Sequence, residues 1–161
     1  MVIEKEIAIQ NIWQLLETVC DPEVPVLTIT DLGIIRDVKI NGSAVEVIIT
    51  PTYTGCPAMD MIAMNIRLAL IENGYPDIKI TSVLSPAWTT DWMTEEGKRK
   101  LKEYGIAPPQ RGDSKSPDRL PACPQCNSHN TKLLSQFGST ACKALYQCND
   151  CKEPFDYFKC H

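Results

Sequence analysis

Four cysteines near the C-terminus constrain this chain more than any other feature. Cys123-Pro124-Gln125-Cys126 and Cys148-Asn149-Asp150-Cys151 are two Cys-x-x-Cys pairs separated by 21 residues. Each pair forms a tight knuckle that turns two thiolates toward one cation. Two knuckles joined by a β-hairpin complete a tetrahedral S₄ cage, the arrangement Zn²⁺ takes in zinc ribbons. The gap is slightly longer than the ~15–20 residues usual between such pairs. A closed S₄ site leaves no open position for substrate, so it speaks for folding and docking rather than for chemistry. The function has to be sought in the first two-thirds of the chain.

Eight cysteines in 161 residues would fit a disulfide scaffold in a secreted protein. The paired spacing and the lack of an N-terminal apolar h-region favour reduced thiols instead. No run of ~18 apolar residues is present, so no membrane span is expected and a cytoplasmic location is. Charge is uneven. Residues 1–110 hold 9 Lys/Arg and 15 Asp/Glu, net −6, whereas residues 111–161 hold 7 and 5, net +2. An acidic larger part with no Lys/Arg stripe gives no electrostatic footprint for nucleic acid. No Ser/His/Asp or Cys/His set, phosphate loop or dinucleotide fingerprint appears, which disfavours a stand-alone enzyme.

Apolar periodicity at Ile9, Ile12, Trp13, Leu16, Val19 and Cys20 predicts a helix over residues 4–20, with Cys20 in the core. Pro22 stops it, because the residue before a proline avoids helical geometry. Strands are expected at Ile34–Ile40 and Ala44–Thr50, joined at Asn41-Gly42, where both residues tolerate positive φ. Pro57 suits the first turn of a helix whose core face is Met59, Ile62, Ile66 and Leu70, ending at Asn73-Gly74. A third strand at Ile78–Val83 makes a strand–helix–strand crossover and hence parallel pairing. A last helix, about Trp92–Tyr104, would be capped by Asp91 and closed by Gly105.

Residues 1–107 therefore read as one α/β (α+β) domain, a small mixed sheet with packed helices. Pro108, Pro109, Gly112, Pro117 and Pro121 mark residues 108–121 as a semi-rigid linker. Residues 122–161 form the zinc-ribbon module, with Leu133, Leu134, Phe137, Leu145, Tyr146, Phe155, Tyr157 and Phe158 as its core.

Cys56 is the outstanding thiol of the first domain. It lies between Gly55 and Pro57 at a helix start, where unpaired N–H groups and the helix dipole favour a thiolate. A small apolar residue packed under the loop is the equally weighted alternative. Asp21, Glu23 and Asp31 would assist the thiol or give oxygen ligands to iron; turn capping is the better-supported role for each. Thr50, Thr52, Tyr53 and Thr54 crowd the approach to Cys56 with hydroxyls that bond a ligand or satisfy the loop. Trp88 and Trp92 line a docking surface or, more often for such residues, pack. Cys142 and Cys160 read as packing residues or as a secondary redox or metal pair, and His129 and His161 as solvent-facing.

Asp21-Pro22-Glu23-Val24-Pro25, Asp31-Leu32-Gly33-Ile34 and Thr50 through Cys56-Pro57 resemble the iron–sulfur assembly domain of SufT and its cytosolic eukaryotic relatives. Ser85 through Trp92, Tyr104 through Pro109, Phe137-Gly-Ser-Thr-Ala-Cys142-Lys-Ala-Leu-Tyr146 and Glu153 through Cys160 are similar to the PaaD family. That family belongs to the bacterial phenylacetyl-CoA ring-epoxidase system of aerobic phenylacetate breakdown. The resemblance spans nearly the whole chain. It implies an accessory maturation factor that installs or repairs an iron or iron–sulfur centre, with oxygenase and reductase subunits as partners. In the family the thiol matching Cys56 is the expected functional residue, with the Asp-Pro-Glu motif close to it.

One thiolate cannot hold an iron–sulfur cluster, which usually needs four protein ligands. Cys56 would therefore share transient iron or a cluster with Cys56 of a second copy, with Asp21 or Glu23, or with an acceptor, and a shared thiol favours a homodimer. The competing reading is a structural adaptor that docks to the oxygenase through its ribbon and carries no metal to it.

Overall fold

The computed structural model describes residues 2–110 and 119–159. Most of the expected linker, with Cys160 and His161, lies outside them. The chain forms two compact units, Met1–Trp88 and Thr89–His161. Among the described residues no helix is long and apolar enough to cross a membrane.

The first unit begins with helix α1, Val2–Leu16, which buries Ile12 and Leu16. It ends a turn earlier than its apolar periodicity predicts. The Ile29 N–H bonds the Val19 carbonyl at 2.9 Å, and Cys20 bridges Thr28 in an isolated antiparallel pair. This long-range pairing pulls residues 19–20 out of the helix and leaves Cys20 exposed, not in the core. A short helix α2, Ile29–Leu32, follows with a capping box between Thr28 and Asp31 and a left-handed Gly33 (φ 71°) at its C-terminus.

Strands β1 (Ile35–Asn41) and β2 (Ala44–Ile49) pair antiparallel. Asn41 is the last paired residue, so the turn falls on Gly42-Ser43, with Gly42 at φ 64°. Helix α3 (Ala58–Glu72) crosses to β3 (Asp77–Ser82), which lies parallel to β2, giving the order β1-β2-β3. The parallel pairing is the one the crossover predicts. Val45, Val47 and Ile49 alternate inward from β2 while Ile62, Ile66 and Leu70 are buried from α3. Each of these side chains contributes about 1.5–3 kcal/mol of transfer free energy. Trp88 closes the unit: it is 3% exposed and its Nε1–H donates to the Leu32 carbonyl at 2.7 Å. It is a packing residue.

The second unit contains helix α4 (Glu95–Tyr104) and strands β4 (Ile106–Ala107), β5 (Thr131–Ser135), β6 (Lys143–Cys148) and β7 (Pro154–Phe158). Residues 90–92 form a separate 3₁₀ turn capped by Thr89, so α4 starts later than expected and its N-cap is Thr94, not Asp91. The sheet order is β4-β7-β6-β5, with β4 parallel to β7 and the other pairs antiparallel. The β4–β7 pairing explains why residues 89–107 cluster with the ribbon, where the sequence pattern put them in the first domain. The small core holds Ala107, Cys123, Cys148 and Phe155, with Tyr146 and Tyr157 packed against it. Leu133, Leu134 and Phe137 were expected in that core and are exposed: Leu133 and Leu134 lie on the edge strand β5, and Phe137 lies beyond its end, with Lys159 Nζ over its ring at 4.5 Å.

Candidate metal centre and the Cys56 loop

The two knuckles are built alike. Cys123 N–H bonds the Ser128 carbonyl at 2.9 Å, and Cys148 N–H bonds the Glu153 carbonyl at 3.0 Å, five residues on in each case. The residue after each second cysteine takes a left-handed conformation: Asn127 at φ 61° and Lys152 at φ 68°. That turn reverses the backbone and aims its N–H groups at sulfur. Ser128 N–H reaches Cys126, Glu153 N–H reaches Cys151, and Cys151 and Asp150 N–H reach Cys148. Such donors stabilise thiolate over thiol.

The four Sγ atoms lie within 4.8 Å of one another. Cys123–Cys151 are 3.6 Å apart and Cys126–Cys148 3.5 Å. A tetrahedral cage with ~2.3 Å metal–sulfur bonds has edges of about 3.8 Å, so the donor set fits a soft divalent cation such as Zn²⁺ with little adjustment. The thiols compete for ionisation. Donation from the Cys151 and Asp150 amides outweighs burial and brings Cys148 down to about 7. At Cys151 the Glu153 amide favours the thiolate, but burial and the neighbouring thiols push it up to about 12. Cys126 is also raised: the Ser128 amide is outweighed by Cys148, burial and Cys123. A cation bound in the cage would draw the protons off all four sulfurs, since it is the thiolate that ligates.

Side chains brace the knuckles against each other. Asp150 accepts from the Ser128 hydroxyl and, at 3.0 Å, from Asn130 Nδ2, while Asn149 Nδ2 donates to Asn130 Oδ1 at 3.0 Å. Sequence reasoning did not single out Asn127, Asn130, Asp150 or Lys152. For Asn127, Asp150 and Lys152 the position inside or directly beside the Cys-x-x-Cys pairs was the available signal.

In the first unit Cys56 is half-buried on the loop before α3, after Gly55 at φ 78°. Its carbonyl accepts from Met59 N–H at 3.2 Å, which attaches it to the first helical turn. Pro57 is the N-cap residue, one place earlier than its expected first-turn position. Thr50 is 1% exposed at the base of the loop, and its hydroxyl has no hydrogen-bond partner.

Asp21 and Asp31 are buried and engaged in caps. Asp21 Oδ1 accepts from Glu23 N–H at 2.7 Å and Val24 N–H at 3.2 Å; Asp31 Oδ2 accepts from Thr28 N–H at 3.1 Å. Glu23 is half-buried. Among the described residues, the ribbon cysteines are the group of three or more potential ligands that comes together; Cys56, Asp21 and Glu23 do not form one. Cys142 is buried, with Thr140 Oγ1 at 3.0 Å from its sulfur, and His129 is exposed.

A mixed sheet flanked by helices, joined to a four-cysteine ribbon, defines a two-part class: an iron–sulfur assembly domain followed by a zinc ribbon. Family profiles agree. Residues 9–84 match the family described as iron–sulfur cluster assembly protein, and residues 107–159 the PaaD zinc beta ribbon domain. The chain is 51% identical over 154 residues to a putative 1,2-phenylacetyl-CoA epoxidase component of Escherichia coli (strain K12), covering 94% of this chain and 93% of that one. The chain belongs to the PaaD family of phenylacetyl-CoA epoxidase components. It is also 36% identical over 94 residues to an Fe-S protein maturation auxiliary factor of Porphyromonas gingivalis (strain ATCC BAA-308 / W83), covering 57% of this chain and 89% of that one. A crystal structure of a domain of unknown function from Bacillus anthracis superposes with a TM-score of 0.59 at 26% identity, over 63% of this chain and 97% of that one.

Proposed function

We propose that this protein is a non-catalytic accessory subunit that helps assemble or repair the iron or iron–sulfur centre of a phenylacetyl-CoA ring-epoxidising oxygenase. Zinc in the four-cysteine cage holds the ribbon together, and Cys56 is the transient ligand for the cargo. The observation that carries this reading is the contrast between the two thiol sites. The ribbon gathers four sulfurs within 4.8 Å, a saturated structural site, whereas Cys56 stands half-buried on a glycine-shaped loop of a domain whose family assembles iron–sulfur clusters.

Because Asp21 and Asp31 already accept backbone amides, the remaining cargo ligands come best from outside the chain, from a second copy or from the acceptor. Ligand exchange onto the acceptor then completes transfer without any change in the ribbon. Oxygenase and reductase subunits are the natural recipients, and the resident compartment is the cytoplasm. A structural adaptor is the second reading, favoured by exposed Leu133, Leu134 and Phe137 on the ribbon.

Zinc, iron and acid-labile sulfide per chain, measured on anaerobically purified wild type and Cys56→Ser, separate the two. The carrier reading expects about one zinc in both, with iron and sulfide in the wild type alone. It also expects Cys56→Ser to fail a phenylacetate growth assay. Zinc alone in both proteins, with normal growth of the variant, supports the adaptor.

A further inference from the structure

The carboxylates of helix α4 are matched within the helix: Glu95 pairs with Lys98, and Glu96 and Glu103 both pair with Arg99. Lys102, in the last turn, forms no ion pair among the described residues. It lines a cleft of about 160 Å³ within the second unit. Pro108, Pro109 and Pro124 give that cleft its apolar walls, and Gln110 and Asn127 add two side-chain amides. Among the described residues no Asp or Glu lines it, so Lys102 is its one charged group.

The walls are preorganised. Each proline has a φ locked by its ring. Pro124 belongs to the first knuckle, where Cys123 N–H bonds the Ser128 carbonyl and Asn127 N–H bonds the Cys123 carbonyl, both at 2.9 Å. Pro108 and Pro109 follow directly on β4, which is anchored by its pairing with β7. A site that is already in shape loses little affinity to ordering.

Size and charge narrow the ligand. An apolar cavity of about 150 Å³ takes a single benzene ring, whereas drug-sized ligands need roughly 300–1,000 Å³. An ammonium with no carboxylate beside it, and amides able to donate, select an anion with acceptor oxygens. We propose that this cleft binds a small monocyclic aryl carboxylate, its ring packed on the prolines and its carboxylate toward Lys102. Phenylacetate and benzoate are acids of that kind. A coenzyme A thioester does not qualify, because its acyl group has lost the carboxylate and its carrier exceeds the volume. The site is separate from the Cys56 loop and does not depend on the carrier role proposed above.

Amide NMR titration of the zinc-loaded full chain with phenylacetate tests the proposal. A ligand of about ten non-hydrogen atoms is expected to bind with a Kd between about millimolar and tens of micromolar. Saturable shifts should centre on Lys102, Gln110 and Asn127. Lys102→Met keeps the aliphatic stem and removes the charge from an exposed position, so it should weaken phenylacetate at least about threefold. Lys102→Arg should restore binding. Ala122 also lines the cleft, and Ala122→Leu, which fills part of it, should weaken binding as well. Circular dichroism and zinc content check that each variant is folded.

Three further probes separate the parts of the ligand. Phenylacetamide lacks the charge, acetate lacks the ring and naphthylacetate exceeds the volume; each should bind the wild type more weakly than phenylacetate. No saturable shift at millimolar phenylacetate, or shifts scattered away from the cleft, would leave it a solvent-filled surface feature and overturn the proposal. Equal affinity for phenylacetate and phenylacetamide, or a folded Lys102→Met that binds phenylacetate like wild type, overturns it too.

Discussion

Trp88 ties the end of the first unit to the turn that follows the Asp21–Pro25 loop, and its removal should be felt throughout that unit. Leu32 is fully buried and sits in the last turn of α2, where carbonyls have no partner within the helix. Trp88 Nε1–H meets the Leu32 carbonyl at 2.7 Å. Trp88→Phe keeps an aromatic ring but deletes the donor. A buried acceptor left without a partner costs about 1–3 kcal/mol, and the lost ring atoms add about 1 kcal/mol through the space they vacate. The sum is about 2–4 kcal/mol. Native-state hydrogen exchange reads it directly, because amides of the central strand β2 open only with the unit. Their protection should fall by about 30- to 800-fold, at ~1.4 kcal/mol per factor of ten. The ribbon amides of β6 are an internal reference and should not change. A loss in β2 of less than about threefold would refute the argument. It would mean that the carbonyl finds another donor in the variant or that the bond contributes little to folding.

Chelation of the ribbon metal, or Cys148→Ser, should unfold β5–β7 while leaving the α1 and α3 helical signal in place, because structural zinc binding is folding free energy for so small a core; far-UV circular dichroism with a metallochromic dye checks both halves. Glu46 is held below the usual carboxylate range by the Thr81 hydroxyl at 2.6 Å and by Lys79 at 3.7 Å. Its contribution to stability is therefore fully present above the unfolded carboxylate value, ~4.3, and is lost as pH falls through the lower folded value. Thr81→Val should move the NMR-titrated Glu46 midpoint upward; an unmoved midpoint would rule out the hydroxyl as its main cause. Cys56→Ser should leave zinc content and the exchange pattern of β2 unchanged, and any loss of zinc would assign that thiol to folding.

The features legible in the sequence are those fixed by a few adjacent residues. The Cys-x-x-Cys pairs announce the cage because a knuckle is a local object, and Asn41-Gly42 announces the hairpin to within one residue. The 3.6-residue period of Ile62, Ile66 and Leu70 locates the buried face of α3. What was not legible depends on partners distant in sequence. Val19 is apolar and well placed to extend α1, yet it bonds Ile29. Leu133 and Leu134 are strong strand residues, but nothing in their vicinity reveals that β5 will be the outer strand. The same holds for α4: Ile106 and Ala107 join it to β7 by pairing with Asp156 and Tyr157, fifty residues on.

The carboxylates around the Asp-Pro-Glu loop illustrate how geometry divides residues that sequence groups together. Asp21 and Asp31 are acidic, buried and in segments shared with iron–sulfur assembly proteins, which makes them attractive as oxygen ligands. Each spends an oxygen on backbone amides at 2.7–3.2 Å, and in doing so fixes the turn that places α2. A carboxylate that holds its own loop in shape cannot leave to follow a metal without opening that loop. Cys56 is under no such obligation: the hydrogen bonds that set its position run through its backbone N–H and carbonyl, not its sulfur. A ligand that must release its cargo has to be one whose departure leaves the fold intact. That test favours the proposed division of labour, in which the ribbon thiols, two of them in the small core at Cys123 and Cys148, serve the fold and Cys56 is the exchanging ligand.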